Sequence, residues 1–104
     1  MRVPVRLALL ASVCLAPAAA HAQAPEFPAA AKSCITCHGR DGIGTSPGFP
    51  NLAGQKSIYM MEQLTLYRDG KRQSDVMNIA AAKLSGDDIR AIAEYYEAMP
   101  ACKP

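Results

Sequence analysis

The sequence predicts a small all-α domain of about four short helices joined by loops. Three observations predict it. No stretch alternates apolar and polar residues as a half-buried strand would. Two segments, residues 57–69 and 86–98, carry apolar side chains at helical spacing between start and stop signals. Between them and the N-terminal third, Gly39, Gly42, Gly44, Pro47, Gly48 and Pro50 break every period, as turn residues do. The chain has 104 residues, enough for one domain at most. No internal repeat is visible, and no linker divides residues 23–104.

The first segment is expected to lie outside that domain. Arg2 and Arg6 make a basic start, residues 7–20 are apolar and Ala-rich, and Ala20-His21-Ala22 fits a small-residue cleavage site. This pattern predicts a secretory signal peptide over residues 1–22, cut after Ala22, with the domain spanning 23–104. The apolar run is short for a membrane span and Pro17 interrupts it, so no span is expected after cleavage. Cys14 lacks the small-residue context of a lipid-anchored protein. Cleavage removes two of the 11 basic residues and leaves them equal to the 9 acidic ones, a formal charge of zero. Nucleic acid is excluded as a partner, because it needs a concentrated basic surface.

The elements follow in order. Pro28 suits the first position of a helix, where its missing N–H goes unused. Ala29, Ala30, Ala31 and Lys32 are strong helix formers and lead into Cys34, giving a first helix of about two turns. Residues 39–54 form a loop long enough to need a reason. Residues 57–69 form the clearest helix, with Ser57 as cap, Gly70 as stop, and Met60, Met61, Leu64 and Tyr67 on one face. Ser74 or Asp75 caps a short helix over 76–83. Ser85-Gly86-Asp87-Asp88 reads as a capping box. The helix after it aligns Ile89, Ile92, Ala93 and Tyr96 as a stripe, with Arg90, Glu94 and Glu97 facing water, and Pro100 stops it.

The chemistry concentrates in Cys34-Ile35-Thr36-Cys37-His38. This C-x-x-C-H spacing is the signature of covalent haem attachment. Each thiol can add across a haem vinyl group to form a thioether, and the adjacent histidine can reach the iron. Two other uses compete. A zinc site would draw on Cys34, Cys37, His38 and Cys102, but adjacent Cys37 and His38 suit a closed tetrahedron poorly. A redox dithiol would need a βαβ pattern, which is absent. Covalent haem alone accounts for the spacing, the export signal and the long loop together. It would also give a small domain the large apolar centre it otherwise lacks, since Trp is absent and Phe occurs twice.

A haem iron takes a second axial ligand or keeps an open position. His38 is the one histidine left after cleavage, so the candidates are Met60, Met61, Met77 and Met99. Met is more often a core filler than a ligand. Met60 and Met61 sit on the apolar face of a good helix, and Met99 sits at a frayed end. Met77 follows the polar segment 69–75 at the start of a short helix, where it can reach back over the iron. It is the expected ligand.

Taken together, Cys34-Ile-Thr-Cys-His38, Pro50-Asn-Leu-Ala-Gly54, Met77 and the run from Leu84 to Tyr96 resemble a class I c-type cytochrome. The segment Gly54-Gln55…Tyr59…Gln63-Leu64…Tyr67-Arg68-Asp-Gly-Lys-Arg72 is similar to one haem unit of the bacterial diheme c-four group. The resemblance covers residues 28–99. It implies the small cytochrome c fold wrapped around one haem c, attached through Cys34 and Cys37, with His38 and Met77 as axial ligands. It implies that the Pro50 carbonyl accepts the His38 ring N–H, which fixes ring and tautomer, and that Leu52 packs on the haem face. The family's first helix is longer, so Ile92 and Tyr95 are expected to meet this one over a smaller contact. Lys56, Arg68, Lys71 and Arg72 are candidates to offset the haem propionates.

His/Met ligation fills both axial positions and raises the potential relative to bis-His. The expected function is a periplasmic one-electron carrier, not an enzyme, whose partners are its redox donor and acceptor. The alternative is a haem c subunit of a membrane or periplasmic dehydrogenase or oxidase complex. A third possibility, gas or peroxide reactivity, requires Met77 to be displaced. Ile43, Pro47 and Phe49 are expected to form an apolar rim by the thioether edge, or Phe49 fills the pocket. Cys102 has no partner once haem is attached. It is expected either as a free thiol, the favoured state, or as the bridge of a Cys102-linked dimer.

Overall fold

The computed structural model describes residues 25–102, so the expected signal peptide lies outside the described residues. Every regular element among them is helical: a 3₁₀ turn, Ala29–Ser33, then α1 Ile35–His38, α2 Ser57–Arg68, α3 Met77–Ala81 and α4 Gly86–Glu97. The all-α expectation holds.

Helix α4 is the spine. Its start is a complete capping box: Ser85 Oγ accepts from the Asp88 N–H at 3.0 Å, and Asp88 Oδ2 accepts from the Ser85 N–H at 2.9 Å. These bonds favour the ionised carboxylate and hold Asp88 below the usual carboxylate range. The expected stripe is buried, with Ile92 at 1% and Tyr96 at 0% exposure, while Arg90, Glu94 and Glu97 are exposed. Burial of a side chain such as Ile92 is worth about 1.5–3 kcal/mol. Tyr95, beside the stripe, is buried as well.

Two lobes share that spine. On one side the 3₁₀ turn packs on α4 and on α1; on the other, α2 packs on α4 and on α3. In the first lobe, Ala31 is fully buried and Phe27 meets Tyr95 edge-on at 5.4 Å. In the second, Met60 and Leu64 turn inward from α2.

Three boundaries differ from expectation. The first helix is a 3₁₀ turn with Pro28 outside it, in extended backbone at φ −73°, ψ 137°. Its bonds run from Ala31 to Pro28 and from Cys34 to Ala31, and a new α-turn starts at Ile35. Helix α2 begins at Ser57 itself, with Lys56 before it and no side-chain cap. Helix α3 is shorter than 76–83, although the Met77 N–H does donate to Ser74 Oγ at 3.1 Å.

The loop after α1 is folded back on itself. The Gly42 carbonyl accepts from the N–H groups of Leu52 and Ala53 at 2.7 and 3.0 Å. Gly42 has φ 76°, and a Cβ there would sit 2.9 Å from the Tyr96 ring. Only glycine permits both that backbone and that approach. The closure returns Pro50 and Leu52 to α1, sixteen residues of chain having made a strap rather than a helix.

Candidate haem site

A cavity of about 230 Å³ lies between the two lobes. Cys34 and His38 line it from the first lobe, and Met60, Leu64, Tyr67 and Met77 from the second. Ile92 of α4 lines it too, and Pro50 and Leu52 come from the strap. A second depression, of about 560 Å³, adjoins it at Pro50 and Asn51 and is bounded by residues 44–47 and Phe49.

His38 is buried at the end of α1, at 8% exposure. Its ring Nδ1 lies 2.8 Å from the Pro50 carbonyl. A carbonyl only accepts, so Nδ1 carries the proton, and in the neutral imidazole Nε2 then keeps its lone pair. The backbone just past His38 is held as firmly. Tyr96 Oη donates to the Gly39 carbonyl at 3.0 Å, and Tyr95 Oη donates to the Arg40 carbonyl at 2.7 Å. Burial leads the causes that push the Tyr96 hydroxyl far above its ordinary range, so it remains a donor. Arg40 in turn stacks over Phe27 at 4.3 Å. Sequence reasoning placed Tyr95 and Tyr96 in the core and missed their hydroxyls.

Among the expected site residues, Cys34, His38, Pro50, Leu52 and Met77 meet at the cavity, while Cys37 is not part of its lining. Cys37 occupies the same helical turn, half-buried. Of the four methionines considered, Met60 and Met77 line the cavity and Met61 and Met99 do not. Phe49 is 38% exposed and borders the outer depression rather than the inner cavity.

Asn78 is a positioning residue that sequence reasoning did not select. Its Oδ1 accepts from the Ser74 N–H at 2.7 Å, and its Nδ2 donates to the carbonyls of Tyr67 and Arg72, both at 2.8 Å. One side chain thus ties the 69–75 segment to the end of α2 and sets the start of α3, where Met77 stands. An asparagine at a helix start is a known local hydrogen-bonding signal, but its partners are not readable from spacing.

The competing chemistries fare poorly. Among the described residues, no three His, Cys, Asp or Glu side chains gather as a metal site would require. Burial pushes the Cys34 thiol up, more than the Ser33 hydroxyl brings it down, whereas a reactive dithiol needs a lowered value. A mainly apolar cavity with a thiol and an oriented imidazole on one wall and a thioether on the other does fit haem. It offers thioether anchorage, one nitrogen and one sulfur donor, and a mainly apolar surround.

The comparisons agree. A sequence model of the family described as cytochrome c matches residues 28–99. Cytochrome c-554(548) of Halomonas halodenitrificans is 43% identical over 67 residues, covering 62% of this chain and 81% of that one. The thiosulfate dehydrogenase electron acceptor of Stutzerimonas stutzeri is 45% identical over 73 residues, covering 69% of this chain and 34% of its own. The crystal structure of reduced recombinant cytochrome c4 from Pseudomonas stutzeri superposes with a TM-score of 0.61 at 40% identity, covering 64% of this chain and 38% of that chain. This chain therefore spans most of the first of these proteins and between a third and two fifths of the other two. It belongs to the cytochrome c family, as an electron-transfer protein rather than an enzyme, with haem c held covalently through the cysteine pair of Cys34-Ile35-Thr36-Cys37-His38.

Proposed function

We propose that this chain is exported, loses residues 1–22, and works in the periplasm as a one-electron carrier with His38 and Met77 as axial ligands. Haem c, when bound, supplies the iron that alternates between its ferric and ferrous states. The chain's own residues do the rest. Cys34 and Cys37 fix the group as thioethers. Pro50 holds the His38 ring so that Nε2, the free donor, is the ligand atom. Met77 supplies sulfur from the opposite lobe, and Leu52 keeps water from the haem face. With His38 nitrogen and Met77 sulfur as its two ligands, the group would offer no coordination site to a substrate. The residues beside the cysteine pair, Ile43 to Phe49, would then be the surface that meets a redox partner.

The observation that supports this most is the placement of His38 and Met77 on opposite lobes of one cavity. No described helix is long and apolar enough to cross a membrane. Two relatives are named as electron acceptors of thiosulfate dehydrogenase, so a dehydrogenase is the class of donor we propose. The exposed apolar side chains Ile58, Val76 and Ile79 favour a second arrangement, in which the chain is a bound subunit of such an enzyme.

Intact mass after acid denaturation tests the first reading. The expected species is residues 23–104 plus one haem, since thioethers survive denaturation. The mass of the bare polypeptide would overturn it. Co-purification with an enzyme would move the function to the second arrangement.

A further inference from the structure

We infer that Arg72 is the residue that pairs with a carboxylate at the rim of the cavity, and that this carboxylate is a haem propionate; the inference rests on the haem reading above. Four cations compete for that role by sequence, and the structure separates them. Arg72 lines the cavity, and Lys56, Arg68 and Lys71 do not. Arg68 is engaged elsewhere, with Nε 3.0 Å from Asp69 Oδ1 and Nη1 3.4 Å from the Leu84 carbonyl.

The arginine is preorganised. Its N–H donates to the Leu66 carbonyl at 3.1 Å, and its own carbonyl accepts from Asn78. Its Nη1 donates to Gln63 Oε1 at 2.6 Å, and its guanidinium lies 4.6 Å from the centre of the Tyr67 ring. Gln63 and Tyr67 line the same cavity. Both contacts are neutral, so they orient the charge without cancelling it. No carboxylate lies within ion-pair distance of Arg72 among the described residues, and none lines the cavity.

The Nε and Nη2 groups of Arg72 have no hydrogen-bond partner among the described residues. That free edge of a planar guanidinium matches two carboxylate oxygens at once. An apolar cavity with one unspent cation at its rim suits a flat apolar molecule carrying acid groups on an edge. Haem is such a molecule. Its vinyl groups occupy one half, which Cys34 and Cys37 hold in the first lobe, and its propionates occupy the other half. Arg72 belongs to the second lobe, just beyond α2. Holding the arginine in place beforehand removes much of the ordering cost of the pair.

The test follows the propionates by carbon NMR in haem labelled at those carboxyl carbons, across a pH series. The other titratable side chains lining the cavity are Cys34, His38, Tyr59 and Tyr67, and Lys71 is the neighbouring cation. The variants are Arg72→Gln, Arg72→Lys and Lys71→Gln, each checked for retained haem mass. Arg72→Gln should weaken one propionate as an acid by about twofold to fivefold, the effect of removing an exposed opposite charge. Arg72→Lys should give a smaller change, because the point charge remains and the fork is lost. Lys71→Gln should give none. Equal titration in wild type and Arg72→Gln, with haem mass retained in both, would overturn the pairing alone. An equal shift from Lys71→Gln would do the same by showing a diffuse charge effect. Absence of haem mass from the wild type would instead remove the reading on which the pairing rests.

Discussion

The two lobes that share α4 hold their cavity residues in opposite ways. In the lobe of the 3₁₀ turn and α1, the reactive residues are consecutive, Cys34 to His38, and distant parts of the chain hold them. Pro50 reaches back to the His38 ring, and Tyr95 and Tyr96 reach across more than fifty residues to the next two carbonyls. In the lobe of α2 and α3, the cavity residues are scattered from Tyr59 to Met77, and the bonds that hold them are local. Asn78 and the Leu66 carbonyl span at most eleven residues. Long-range bonds form only when the whole fold closes. The first lobe should therefore be rigid as long as the protein is folded, while the 69–78 segment of the second, tied by local bonds, can open by itself. A carrier gains from that division. If His38 and Met77 are the ligands, the rigid lobe would hold the imidazole in place and a local hinge would confine any loss of ligation to the Met77 side.

The largest expected effect lies in the second lobe. Met77→Ala should leave the haem attached, because the thioethers belong to the other lobe. It should abolish the sulfur–iron absorption band, lower the potential, and let carbon monoxide bind the reduced protein. Lost packing should remove about 2 kcal/mol of stability, at the low end for a methionine that is only half-buried. Met60→Leu is the informative control, since Met60 lines the same cavity. It should keep the band. If Met60→Leu lost the band and Met77→Ala kept it, the ligand would be Met60 and the division between lobes would need redrawing.

The same contrast explains what could be read in advance. Contiguous chemistry is legible, so Cys34-Ile35-Thr36-Cys37-His38 announced the cofactor. Helical period is legible too, and Ile89, Ile92, Ala93 and Tyr96 are all buried as the stripe predicts. The Ser85–Asp88 capping box stands where its spacing put it. What was not legible depends on closure. The tyrosine hydroxyls, the Asn78 staple and the selection of Arg72 among four cations are set by which groups meet once the lobes pack. The 3₁₀ turn belongs with these. An alanine-rich run favours any helix, and hydrogen bonding at Pro28 and Ala31 decides which.

A moderate effect is expected where the lobes meet. Tyr96→Phe removes the donor to the Gly39 carbonyl while keeping the ring against Gly42. The carbonyl retains one weaker donor, the Gly42 N–H at 3.2 Å, so the loss should be about 1 kcal/mol rather than that of a fully orphaned group. In a domain of this size that lowers the melting temperature by about 4–8 °C. Tyr95→Phe should lower it less, because Arg40 is exposed and water can replace the hydroxyl. Equal losses would mean that burial at Gly39 does not strengthen the first lobe.

The smallest effect should come from Cys102. It is exposed, lines neither the inner cavity nor the outer depression, and follows Ala101, which packs beside Gly54 at the end of the strap. It thus belongs to neither lobe's machinery. Cys102→Ser should change stability by less than about 0.5 kcal/mol, as for a surface substitution away from special features, and leave the potential unchanged. Non-reducing electrophoresis should show single chains for both proteins. A dimer band that Cys102→Ser abolishes would refute the free thiol. It would also place a second copy against the strap, where it would buttress Pro50 and make the first lobe's rigidity a property of the pair.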